Sequence, residues 1–92
     1  MYQFVWEKSF ERAFKKVTKN NYNIKSRIFE VLSLMQEDPF QPKLKTHKLH
    51  GKLQSLLAAS IDFEYRIIFM IREISNIKSI VLIDIGTHDE VY

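Results

Sequence analysis

The chain closes on Ile85-Gly86-Thr87-His88-Asp89-Glu90-Val91-Tyr92. An imidazole, two carboxylates and a phenol within so short a stretch can donate or accept protons, or stack on a base. An unperturbed histidine changes charge near neutral pH, so His88 suits a general acid or base. Tyr92 offers a phenol for hydrogen bonding and a ring for stacking. Arg66 carries a planar guanidinium that stays charged, so it can clamp an anion; the plainer alternative is a cross-strand ion pair with Asp84 or Glu64. Glu64 can be a second proton carrier or simply a solvated turn residue. His47 and His50 lie three apart in a lysine-rich stretch. With no cysteine, a spacing unlike H-E-x-x-H and Gly51 close by, no metal site is expected there, and His47 reads instead as an acid, base or phosphate ligand. The only glycines are Gly51 and Gly86, so no phosphate-cradling glycine loop, dinucleotide fingerprint or nucleophile elbow can be built.

These groups need elements to place them. Tyr2, Phe4 and Trp6 alternate with Gln3, Val5 and Glu7, the period of a strand. Ser9 is expected to cap a helix whose apolar stripe is Phe10, Ala13, Phe14 and Val17. Asn20 and Asn21 break it and can cap a second helix with the stripe Ile24, Ile28, Val31, Leu32 and Met35. Asp38-Pro39 ends that helix, because a residue preceding proline leaves the α region. Residues 39–53 have no period and read as an ordered basic loop. Three strands follow at Leu56–Ile61, Tyr65–Ile71 and Ser79–Ile85, joined by hairpins at Asp62-Phe63-Glu64 and Glu73-Ile74-Ser75-Asn76. The expected fold is a single two-layer α+β domain over residues 1–92, in the order β-α-α-β-β-β, with the helical pair packed on an antiparallel sheet. Tyr65, Ile67, Phe69 and Ile71 are expected to face the helices and Arg66, Ile68 and Met70 the open side.

The chain has 92 residues, 46% of them apolar, which suits one modest core. The start of the chain lacks the basic and apolar regions of a signal peptide, and no apolar run approaches the roughly 20 residues of a membrane helix. A cytoplasmic location is the expectation. The net charge is +3, and the charges are uneven: Lys43, Lys45, Lys48 and Lys52 fall between Pro39 and Ile61 without an acid. Such a segment suits either solvation or contact with a polyanion.

Taken together, His47-Lys48-Leu49-His50-Gly51, Tyr65-Arg66-Ile67-Ile68-Phe69 and Ile85 to Tyr92, in this order, resemble the RelE/ParE superfamily of bacterial toxins, and within it the YafQ-like branch. The resemblance implies the toxin of a type II toxin–antitoxin system that cuts mRNA in the ribosomal A site without metal or other cofactor. It implies His47, Glu64, Arg66, His88 and Tyr92 as catalytic residues. Arg66 would meet phosphate charge, His88 and either His47 or Glu64 would carry protons, and Tyr92 would stack or position. Lys43, Lys45, Lys48, Lys52 and His50 would contact ribosomal RNA, where affinity comes from phosphates. The implied partners are a cognate antitoxin, the ribosome and mRNA, with DNA reached only through the antitoxin and no membrane. The stretch Leu57-Ala58-Ala59-Ser60-Ile61 departs from the pattern: it lacks the lysines of some RelE members, and Ser60 stands where YafQ-like members can carry another histidine. The competing readings are a ParE-like inhibitor of DNA gyrase and a degenerate toxin that only binds.

Overall fold

A computed structural model describes residues 1–49 and 55–87. Strand β1 (Gln3–Trp6) behaves as its alternation demands: Tyr2, Phe4 and Trp6 pack on the core, while Gln3 and Val5 are exposed. Helix α1 (Lys8–Thr18) buries Phe10 and half-buries Ala13, Phe14 and Val17. Asn20 adopts a left-handed φ of 57° after it, a conformation Asn tolerates. Helix α2 (Tyr22–Glu37) is capped by Asn21, whose Oδ1 accepts from the Ile24 amide at 3.2 Å, and its whole expected stripe is buried. It stops at Asp38, which is extended at φ −159°, ψ 105° ahead of Pro39.

The stretch expected as a loop is more regular than its composition indicates. A 3-10 turn (Pro42–Leu44) leads into a short strand, β2 (His47–Lys48). Leu44 and Leu49 are buried on either side of β2 and anchor it, and the Thr46 hydroxyl donates to the Pro39 carbonyl at 2.6 Å. Two anchors five residues apart leave no period to read. Strands β3 (Leu57–Ser60), β4 (Tyr65–Ile74) and β5 (Ile77–Thr87) form the antiparallel meander, and β4 and β5 run longer than expected. Ser75 and Asn76 both take positive φ (51° and 67°), the geometry of a tight two-residue hairpin turn, so pairing reaches Ile74 and Ile77.

The five strands lie in the order β1-β5-β4-β3-β2, and the sheet is mixed because β1 lies parallel to β5. The connection from β1 to β5 passes through both helices and the other three strands, a long crossover of the kind a parallel pair requires. The helices cover one face, where Phe10, Ile28, Met35, Ile67, Phe69, Ile80 and Leu82 are fully buried. A smaller cluster of Leu49, Ala58 and Ile68 lies on the opposite face. No described helix is long and apolar enough to cross a membrane.

Ser9 does not cap α1. Glu7 occupies the cap position without a side-chain bond, and the Ser9 hydroxyl donates to the Ile83 carbonyl. The cause lies in β5. Ile68 pairs with Asp84 and Phe69 with Leu82, so Ile83 is the extra residue of a β-bulge. The ladder to β1 ends at Leu82, where the Glu7 amide donates to the Leu82 carbonyl at 3.1 Å. Ser9 then takes the next carbonyl and ties α1 to the bulge. Ser9→Ala is expected to cost roughly 1 kcal/mol, the usual net worth of such a bond. An unchanged urea midpoint would show that the bond adds nothing.

Candidate active site

The register of the meander sets out the helix-free face in rows. Arg66 of β4 pairs with Ser60 of β3 and Gly86 of β5. The next row runs His47, Ala58, Ile68, Asp84 across β2, β3, β4 and β5. Directly paired residues share a face, so His47 and Arg66 lie on the same side of the sheet as the Ala58–Ile68 cluster. Two interstrand spacings and two residues along the strand separate them, about 12 Å between Cα atoms from standard sheet dimensions. Gly86 contributes no side chain beside Arg66, and Thr87 leads on to His88 in sequence.

Arg66 is held by the turn that precedes it. Its Nη1 donates to the carbonyls of Asp62 at 2.7 Å, Tyr65 at 3.0 Å and Phe63 at 3.4 Å. The Asp62 carboxylate closes the same turn, accepting from the amides of Glu64 at 2.9 Å and Tyr65 at 2.8 Å. The Ser60 hydroxyl donates to the Asp62 carbonyl at 3.1 Å. Among the described residues Arg66 forms no ion pair with Asp84 or Glu64, so the cross-strand pair considered from sequence is not made. Its Nε and Nη2 donate to no described residue, which leaves donors for an anion. The Asp84 carboxylate instead accepts from the Ile85 amide at 2.8 Å.

The remaining sequence candidates divide. His47 is exposed, with Nδ1 3.0 Å from the Lys45 carbonyl. Glu64 is exposed in the turn and borders a hollow of about 220 Å³ shared with Asn23 and Arg27 of α2, away from His47. Lys43 and Lys45 are exposed around the 3-10 turn. Lys48 alternates with His47, so it faces the other side of the sheet and borders a hollow with Phe40, Leu57 and Lys78. Lys48 therefore does not share one surface with His47. His50, Lys52, His88 and Tyr92 lie outside the described residues. Two roles were not read from sequence: that of the Asp62 carboxylate in closing the turn, and that of Ser9, expected only as a helix cap, in fixing α1 to the bulge. An Asp opening a hairpin turn was the available signal for the first. Ser9 had none, because its partner is 74 residues away.

Between α1 and the end of β5 a groove of about 600 Å³ carries Arg12 and Lys16 on one wall and Asp84 and Thr87 on the other. It puts cationic side chains beside the end of the strand that leads to the C-terminal segment.

Residues 2–92 match the family described as the bacterial toxin of type II toxin–antitoxin system, YafQ. The chain belongs to the YafQ toxin family. No curated protein matches it in sequence. Among solved structures, a copper-bound mutant toxin from Helicobacter pylori is 25% identical over 100% of both chains, with a TM-score of 0.78. YafQ from E. coli strain BL21(DE3) is 13% identical, covers 100% of this chain and 99% of its own, and has a TM-score of 0.76. The E. coli DinJ-YafQ complex superposes with a TM-score of 0.73 at 13% identity, covering 100% of this chain and 99% of that one. The two helices on a five-stranded mixed sheet are the fold of RelE-like toxins, and this YafQ-family chain shares it throughout.

Proposed function

We propose that this YafQ-family toxin is a ribosome-dependent endoribonuclease, a single toxin domain over residues 1–92 that cuts mRNA in the A site. The observation that supports it is the register on the helix-free face, with Arg66 and His47 on one surface and β5 running out beside Arg66 toward His88. The RNA 2′-oxygen attacks the adjacent phosphorus, its proton passes to a base, and the bond to the 5′-oxygen breaks as an acid supplies that oxygen with a proton. The products are a cyclic phosphate and a 5′-hydroxyl. Arg66 opposes the charge that develops on the phosphorane oxygens. His88 and either His47 or Glu64 are the proton carriers, and Tyr92 stacks on or positions the substrate. The chemistry calls for no metal. Lys43, Lys45, Lys48, Lys52 and His50 contact ribosomal RNA.

An antitoxin is the proposed regulatory partner, as DinJ is found with YafQ in the E. coli complex. The cytoplasm, where ribosomes are, is the proposed site of action. Ser60 favours one second reading. It stands in the Arg66 row with its hydroxyl bonded to the Asp62 carbonyl, where a proton carrier would serve catalysis, and this suits a degenerate toxin that only binds.

Primer-extension mapping of a reporter mRNA in a reconstituted translation reaction tests the proposal. The expected result is cuts at the A-site codon with wild-type protein and none with Arg66→Ala/His88→Ala. Folded wild-type protein that leaves the mRNA intact would overturn it in favour of gyrase inhibition or binding alone. Trapping of gyrase–DNA cleavage complexes separates those two.

A further inference from the structure

Phe63 sits at the tip of the turn between β3 and β4 with 97% of its surface exposed. Exposure of a phenylalanine on a mobile loop would mean little, but this turn is pinned from several directions. The Asp62 carboxylate holds the Glu64 and Tyr65 amides, Ser60 and Arg66 both donate to the Asp62 carbonyl, and Arg66 also reaches the Phe63 carbonyl. The ring is thus presented to solvent on a fixed base, next to the guanidinium on which the proposed chemistry depends.

A lone ring among Ser60, Asp62, Glu64 and Arg66 is a poor protein hot spot, since those sit within contiguous apolar surface. It suits a nucleobase, which needs one π-face and tolerates polar neighbours. We propose that Phe63 is a stacking platform for a base of single-stranded RNA, placed so that the base rests on the ring while Arg66 holds a neighbouring phosphate. This rests on the ribonuclease reading and adds a substrate-binding residue to the same site.

The test combines cleavage of mRNA on programmed ribosomes with tryptophan fluorescence. Phe63→Ala is expected to lower kcat/KM by about 5- to 100-fold, mostly through KM, in the range of one lost base stack. Phe63→Trp is expected to keep activity and Phe63→Leu to lose it. Emission from Phe63→Trp should be quenched by a single-stranded RNA oligonucleotide, while wild-type emission, which comes from Trp6 alone, stays unchanged. Full exposure of Phe63 means that none of these variants should alter the melting temperature. Wild-type cleavage by Phe63→Ala would overturn the inference. Recovery by Phe63→Leu would overturn it too, because it would point to an apolar contact with a protein partner. If the wild type does not cleave, the ribonuclease reading falls by itself and fluorescence decides: quenching supports the platform, and unquenched emission overturns it.

Discussion

Arg66→Ala is expected to reduce A-site mRNA cleavage by about 10²- to 10³-fold, the range for removing one preorganised donor from a developing oxyanion. The expectation follows from how the side chain is held. Nη1 is committed to the Asp62, Tyr65 and Phe63 carbonyls, which fixes the guanidinium, while Nε and Nη2 donate to no described residue. A donor that is already positioned pays little reorganisation when charge appears on the phosphate. Arg66→Lys restores the charge without the planar fork, so it should recover only part of the rate. Because Arg66 also ties the turn, thermal melting of both variants separates a chemical loss from a structural one. Single-turnover rates within threefold of wild type for a folded Arg66→Ala protein would remove Arg66 from the chemistry.

Phe69→Ala should produce the largest loss of stability. Phe69 is fully buried on β4, paired with Leu57 on one side and Leu82 on the other, and Leu82 pairs in turn with Trp6 of β1. Its ring thus sits in a row that crosses four strands beneath the helices. Truncating a buried phenylalanine costs about 3–5 kcal/mol through lost transfer energy and the cavity left behind. Natural domains have only about 5–15 kcal/mol in total, so the variant should be partly unfolded or close to it. In a domain of this size each kcal/mol lowers the melting temperature by roughly 4–8 °C. Calorimetry or urea unfolding would read the change directly. A loss under about 1 kcal/mol would mean that the helices collapse into the space. By contrast, truncating the exposed Phe63 should leave stability unchanged, which separates the two phenylalanines by role.

The helices and the meander were legible because their signals are local. The α2 stripe from Ile24 to Met35 is buried as its spacing requires, Asn21 caps it, and Pro39 ends it. The alternation in β4 correctly assigned Ile67 and Phe69 to the helix-covered face and Ile68 to the other. Strand β2 was hidden because only two residues pair, and its anchors, Leu44 and Leu49, follow no period. The clustering of lysines along the chain suggested one basic surface, but strand alternation sends His47 and Lys48 to opposite sides.

Residue types, apolar spacing and turn chemistry by themselves determined the α+β class, the helical pair, the three-stranded meander and the side of the sheet that holds Arg66. All of these follow from interactions within a few residues or from the two-residue repeat of a strand. Tertiary structure alone decided that β1 lies parallel to β5, that Ile83 bulges and receives the Ser9 hydroxyl, and that Arg66 is bound to the turn carbonyls instead of a carboxylate. Each of those outcomes depends on which distant carbonyl or strand edge was left unsatisfied once the layers had packed. Burial penalises every unpaired backbone group, so the folded chain fills such positions with whatever donor lies near, and sequence spacing carries no record of which donor that is.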